Sequence, residues 1–236
     1  MSTYVLVHGA WAGAHGFRKV RPVLRAAGHD VTTPSLTGLG ERVHLSGPQV
    51  GLRTHIEDVV NHVLYEDLDD IVLLGFSYGG MVVTGSLAHI GDRVSHLVYL
   101  DAFVPDDGDS VRTMLGAPPG GAPIELGAQW SVVAASREYD DPQDAVWSEA
   151  RRVSHPARCF TEPVHLAQPL EAFPFTRTYI KATADSPDAP GNANFWATAE
   201  RAKASPAWNY HEIATNHMIA NNRPEELAAI LIALNA

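Results

Sequence analysis

With 236 residues the chain is long enough for one domain with a substantial core, so a single active site is expected. Charged residues make up 19 % and no run of eighteen apolar residues occurs, which excludes a membrane-spanning helix. A formal net charge of -10 with no Lys/Arg cluster argues against a nucleic-acid partner and suits a small, uncharged or weakly charged organic substrate.

The chain opens Met1-Ser2-Thr3 and runs directly into Tyr4-Val5-Leu6-Val7, with no basic segment ahead of it that would mark export. Cys159 is the single cysteine, so no intramolecular disulfide forms and a cytoplasmic setting is expected. Its expected role is that of a small hydrophobe in a helical region, not a nucleophile.

Short β-rich apolar runs alternate with helical patterns, the signature of an α/β protein with a mostly parallel sheet covered by helices on both faces. Expected strands are Thr3 to His8, Asp30 to Thr33, Ile71 to Leu74, Val94 to Leu100, Thr178 to Ala182 and Trp208 to Ile213. Leu52 to Glu66 places Leu52, Ile56, Val59, Val60, Val63 and Leu64 on one side of a helix. A second helix, after Gly79, is apolar nearly all round, as a helix against the centre of a sheet should be. The last helix opens at Pro224-Glu225-Glu226 and buries Leu227, Ile230, Leu231 and Leu234.

The alternation breaks between about 104 and 175. Roughly seventy residues without a clear sheet strand are too many for a plain loop, so a small helical cap inserted before the penultimate strand of a single domain is expected. Trp130, Tyr139, Trp147 and Phe160 either line a pocket there or pack the cap onto the core.

Gly75-Phe76-Ser77-Tyr78-Gly79-Gly80 lies between an apolar strand and a buried helix, the setting in which Gly-x-Ser-x-Gly forms a nucleophile elbow. The sharp turn strains the serine backbone and brings its flanks against neighbouring elements, which only very small residues tolerate. A serine hydroxyl needs a base, and the base needs an acid to fix its tautomer. Such sites run in the order Ser, acid, His along the chain. His217, in the turn after the last strand, is the expected base, while His211 lies inside that strand. Asp185, in the exit loop of the preceding strand, is the expected acid, and Asp101, at the end of the strand before it, is the alternative. His211-Glu212 is no zinc motif, because Thr215 stands where the second histidine belongs, so neither metal nor cofactor is expected.

The oxyanion donors are expected to be the backbone N–H groups of Ala10 and Tyr78, with His8 a structural hydrogen-bonder at the end of the first strand. Trp11, Phe103, Trp130 and Met218 are the expected walls of an apolar substrate pocket. Glu41 and Arg42 are expected to pair with one another in solvent.

Val5-Leu6-Val7-His8-Gly9-Ala10-Trp11, Ala26-Ala27-Gly28-His29, Gly75 to Gly80, Ala102-Phe103-Val104-Pro105 and Asn216-His217-Met218 together resemble the branch of the α/β-hydrolase superfamily that holds the plant methyl esterases, the hydroxynitrile lyases and their bacterial relatives. The resemblance covers Tyr4 to about Phe103 and Thr178 to the end. It implies the α/β-hydrolase fold and either ester hydrolysis or cyanohydrin cleavage on one triad. The lyases similar to this chain carry threonine after the first-strand histidine and lysine after the catalytic one, whereas Gly9 and Met218 stand here. The esterase reading therefore gains, with a small-molecule ester as substrate; the alternatives are lyase chemistry on the same triad and a ligand-binding protein with a vestigial site, and a monomer or homodimer is expected. Phe76 and Tyr78 depart from the His and Leu or Met usual beside the esterase nucleophile, and the Tyr78 hydroxyl is expected to reach the pocket.

Overall fold

The computed structural model describes residues 1–117, 130–134, 136–188 and 191–234. Five segments in its first part build half of the sheet and its helices: β1 (Thr3–Val7), α1 (Val20–Ala26), β2 (Asp30–Thr32), α2 (Leu52–Tyr65) and β3 (Ile71–Phe76). Then come α3 (Gly79–Ile90) and β4 (Val94–Leu100). The segment expected to form the cap holds α4 (Val111–Met114), β5 (Ser131–Val132), α5 (Pro142–Glu149), β6 (His155–Pro156) and α6 (Arg158–Thr161), with residues 118–129 and 135 outside the described part. The chain returns to the sheet through β7 (Thr176–Ala182), α7 (Asn192–Ala204), β8 (Asn209–Ile213), α8 (Ile219–Asn222) and α9 (Pro224–Ala233).

Six strands form one sheet in the order β2-β1-β3-β4-β7-β8, and every pairing is parallel. A parallel sheet needs cover on both faces, and the strands supply apolar side chains to both at a period of two. Val5, Val7 and Leu73 face α2 and α3, packing with Val59, Val63, Met81 and Leu87. Tyr4, Leu6, Val72 and Leu74 face the other way, onto Leu24 of α1 and Leu227 and Leu231 of α9. Each such side chain contributes on the order of 1.5–3 kcal/mol when fully buried, and these are fully buried.

The six expected sheet strands all form, with ends moved by at most two residues. The change that matters for the site is at β3, which continues through Gly75 and Phe76, so Ser77 follows the strand with no intervening loop. The short pair β5–β6 is antiparallel and stands apart from the main sheet. Asp144, the second residue after Pro142 in α5, fastens this part to the rest: its carboxylate pairs with Arg18 at 2.6 Å and with Lys19. Trp147, on the same helix, lies between the Arg18 and Arg151 guanidinium groups. No helix among the described residues is long and apolar enough to cross a membrane.

Glu41 and Arg42 do not pair as expected. Glu41 accepts from the Ser35 hydroxyl, while Arg42 reaches Asp58 at 3.0 Å and the Ser35 carbonyl, because the helical turn carrying them points the two side chains to different neighbours.

Candidate active site

The register of the sheet builds the site. Phe76 of β3 pairs with Leu100 of β4, and the next residue of each strand is Ser77 and Asp101. Both turn out of the sheet with positive φ, 56° at Ser77 and 41° at Asp101, conformations that cost L-residues energy and persist only where the surroundings hold them. The Ser77 amide is held by the Leu100 carbonyl at 3.2 Å, and the Asp101 amide by Ile180 at 2.8 Å. The elbow glycines are required by close approach: a Cβ on Gly75 would lie 2.7 Å from the Gly79 carbonyl oxygen, and one on Gly79 would lie 2.6 Å from that of Val7.

The His217 imidazole meets both residues. Ser77 Oγ lies 2.9 Å from Nε2, and an Asp101 carboxylate oxygen lies 2.6 Å from Nδ1. Nδ1–H therefore donates to Asp101, leaving Nε2 free to accept the serine proton. Phe195 of α7 stacks on the imidazole at 5.3 Å between centroids, and Phe76 packs against it at 4.7 Å.

Here the geometry corrects the expected acid. Asp185 does not reach the ring; its carboxylate accepts from the His217 backbone N–H at 2.7 Å. The side chain expected to orient the imidazole thus anchors the peptide that carries it. Asp101 takes the ring because the turn after β4 aims its carboxylate under His217, next to the nucleophile's own strand.

Asp101 is buried together with Lys181 of β7, whose ammonium lies 2.6 Å from the other carboxylate oxygen. Burial alone would raise the Asp101 carboxyl, but the hydrogen bond and charge of His217, with the charge of Lys181, outweigh it and hold the group below the usual carboxylate range.

Ala10 and Tyr78 lie beside Ser77 on the wall of one cavity, and among the described residues neither backbone N–H has an acceptor. Tyr78 also caps the N-terminus of α3, where the helix dipole favours negative charge. His8 braces this corner: Nε2 accepts from the Leu36 amide at 3.1 Å and Nδ1–H donates to the Gly9 carbonyl at 2.8 Å. Burial pushes it down to about 4, so it remains neutral at neutral pH.

The cavity measures about 420 Å³, and its described walls include Trp11, Phe103, Val111, Val132, Phe160 and Phe195, with Arg112, Arg137 and Asn192 as polar members. Trp11 and Phe103 take their expected places, but Trp130 and Met218 do not. The Trp11 indole N–H donates to the Val132 carbonyl at 2.9 Å, which draws Val132 to the wall, while the Trp130 carbonyl is tied to the Ala157 amide. Met218 lies behind His217, lining a separate small void with His8, Gly9 and Phe76.

The Tyr78 hydroxyl does not reach the cavity as expected either. It donates to His55 Nδ1 at 3.0 Å inside a buried cluster with His155 and Cys159. The donor atoms of His55, His155 and Cys159 lie within 4.8 Å of one another, a spacing that could suit a metal. The hydrogen bonds oppose it. His55 Nε2 donates to the Thr37 carbonyl, which leaves Nδ1 to accept from Tyr78. His155 Nδ1 accepts from the Trp11 amide, so a neutral ring carries its proton on Nε2, the nitrogen a metal would need. Burial pushes the Cys159 thiol up to about 12, as expected of a hydrophobe on a short helix rather than a nucleophile.

Sequence reasoning missed Lys181, Phe195 and Arg137. A readable signal existed for Lys181 alone: a lysine in the otherwise apolar strand segment Tyr179-Ile180-Lys181-Ala182 needs a buried anion.

A serine on a strained elbow, a histidine and a buried aspartate at the C-terminal edge of a wholly parallel sheet define a chain with the α/β-hydrolase architecture. The chain belongs to the alpha/beta hydrolase family, whose model matches residues 4–230. It is 36 % identical, over 99 % of its own length and 100 % of the relative's, to a carbendazim hydrolyzing esterase of Nocardioides sp. (strain SG-4G). An alpha-hydroxynitrile lyase of Arabidopsis thaliana is 32 % identical over 44 % of this chain and 40 % of its own. Among solved structures, a methylesterase from Arabidopsis superposes with a TM-score of 0.77 at 24 % identity, covering 100 % of this chain and 99 % of that one, a likeness of fold.

Proposed function

We propose that the protein hydrolyses a small carboxylic ester through an acyl-enzyme on Ser77. The observation that carries this reading is the continuous hydrogen-bonded line from Ser77 Oγ through His217 to Asp101, opening onto an apolar cavity. Ser77 Oγ attacks the ester carbonyl as its proton passes to His217 Nε2. Asp101 keeps the proton on Nδ1 and stabilises the imidazolium, and the N–H groups of Ala10 and Tyr78 meet the oxyanion. His217 returns the proton to the leaving alkoxide. Water then repeats the sequence on the acyl group and frees the acid.

The full-length likeness to an esterase supports the reaction class. The aromatic walls favour an acyl or alcohol group with a ring or short chain, and the described residues of the 104–175 segment that line the cavity, Val111, Val132 and Phe160 among them, would cover the site as a cap. A cyanohydrin-cleaving reading finds no support in the geometry: residue 218, where the similar lyases carry lysine, is a methionine lining a different void.

The test is intact-mass spectrometry after treatment with a fluorophosphonate probe, alongside hydrolysis of short p-nitrophenyl esters. Wild type should gain one adduct and turn over ester to acid plus alcohol, and Ser77→Ala and His217→Ala should do neither. Hydrolysis undiminished in Ser77→Ala overturns the assignment.

A further inference from the structure

A lysine with 1 % of its side chain exposed is costly unless it is fully partnered. Lys181 meets that condition by hydrogen-bonding to Asp101 and to the Ala182 carbonyl, each at 2.6 Å, with its ammonium 4.5 Å from the Trp196 ring centroid. Of the two Asp101 carboxylate oxygens, one faces Lys181 and the other faces His217. In a serine–histidine–acid site the carboxylate is ordinarily the charge that stabilises the imidazolium. Here a cation stands directly behind it.

We propose that Lys181 is a positioning residue for this site: its ammonium locks the Asp101 carboxylate in the orientation that receives His217 and weakens the field by which Asp101 favours the imidazolium. The inference rests on the hydrolytic reading above. Its consequence is that the imidazolium is less favoured than it would be beside a lone carboxylate, so removing the Lys181 charge is expected to shift the pH profile of the reaction.

The other groups around the pair do not supply this charge. Asp185, on the loop after β7, accepts from the His217 backbone N–H and is an acidic residue, not a basic one. Ser77, Phe76 and Phe195 contact the imidazole from the elbow, β3 and α7 and carry no charge. Tyr179 of β7 and Tyr210 of β8 sense Asp101 electrostatically, and both phenols are raised, chiefly by burial, so both are neutral. Arg137 lines the cavity and is electrostatically coupled to Asp185. Lys181 is the cation bonded to the carboxylate itself.

Two variants separate the hydrogen bond from the charge. Lys181→Gln retains a donor without the charge, and Lys181→Met removes both at similar volume. The readout is kcat/KM against pH from roughly 5 to 9, with melting temperature beside it. A unit charge roughly 6 Å from an imidazolium shifts its titration by about two units at an effective dielectric near 20. Both variants should move the acid limb of the profile upward by about two pH units, and Met should lose about tenfold more than Gln in the plateau rate.

A structural role alone would lower the melting temperature or the plateau and leave the limb in place, and that result overturns the proposal. Should neither variant fold, the Lys181 side-chain nitrogen resonance of wild type decides: a charged ammonium at neutral pH supports it, a neutral amine overturns it. Wild type that neither labels nor hydrolyses would remove the hydrolytic reading, and this inference with it. An active wild type with unshifted variants removes only the role of Lys181.

Discussion

Replacing Asp101 and Asp185 in turn asks which carboxylate the imidazole answers to. In Asp101→Asn an amide faces His217 Nδ1, and its NH2 favours the tautomer that leaves the proton on Nε2, where it blocks acceptance from Ser77, 2.9 Å away. Loss of the acid in a serine triad costs about 10⁴ in kcat, equivalent to about 5 kcal/mol of transition-state stabilisation. The same change strands the Lys181 ammonium, 2.6 Å from the former carboxylate, at a cost to stability of about 3–5 kcal/mol. Asp101→Asn with Lys181→Met should recover most of that stability and none of the rate. Asp185→Asn keeps an oxygen that can accept from the His217 amide, so its loss should stay within about tenfold. The assay is kcat/KM on a short p-nitrophenyl ester, with circular dichroism to establish folding. Asp185→Asn costing as much as Asp101→Asn in folded protein would refute the reasoning.

Acid should unfold the protein early. His8 and His55 are lowered by burial from 6.5 to about 4, and burial lowers His155 in the same direction, so between these values the unfolded chain binds protons that the native one does not. Stability should be fully present above pH 6.5 and fall by about 1.4 kcal/mol per unit per histidine towards pH 4. Urea titrations across this range measure it, and a flat profile from neutral pH to about 4.5 would contradict it. Tyr78→Phe leaves His55 Nδ1 without its donor and should cost about 1–3 kcal/mol with KM unchanged, because the hydroxyl does not face the cavity; thermal melts and kinetics together check both halves. Gly79→Ala drives a Cβ to 2.6 Å from the Val7 carbonyl oxygen and should cost about 3 kcal/mol in chemical denaturation, with activity lost as the elbow shifts.

Much of this was legible in the chain because it depends on local rules. Period-two apolar strands, the helix of Leu52 to Tyr65 and the glycines around Ser77 each follow from sterics and burial within a few residues. His217 was legible because the turn after the last strand is where the fold needs a base. The acid was harder. Asp101 and Asp185 both follow strands, both precede His217 and both satisfy the chain order, and what separates them is a backbone turn of φ 41° after Leu100, a tertiary outcome. Met218 adjoins His217 in sequence, yet it lines a different void. Phe195 comes from a helix whose apolar residues are too sparse to announce which face meets the site. The Tyr78 hydroxyl was misjudged because its partner, His55, lies 23 residues away on the hydrophobic side of α2.

Ser77 and Asp101, the proposed nucleophile and acid, emerge one residue beyond a matched pair on adjoining strands, so their separation is inherited from the sheet ladder, about 4.8 Å between neighbours. In this arrangement the loop leaving β7 is relieved of delivering the acid. Lengthening or resculpting it beyond Asp185 changes the rim of the cavity without moving the residues beneath the ester. Ser77 and Asp101 thus sit at the C-terminal edge of the central sheet, and the border strip beyond Asp185 is left open to variation, which is where selection or design could retune substrate choice at least cost.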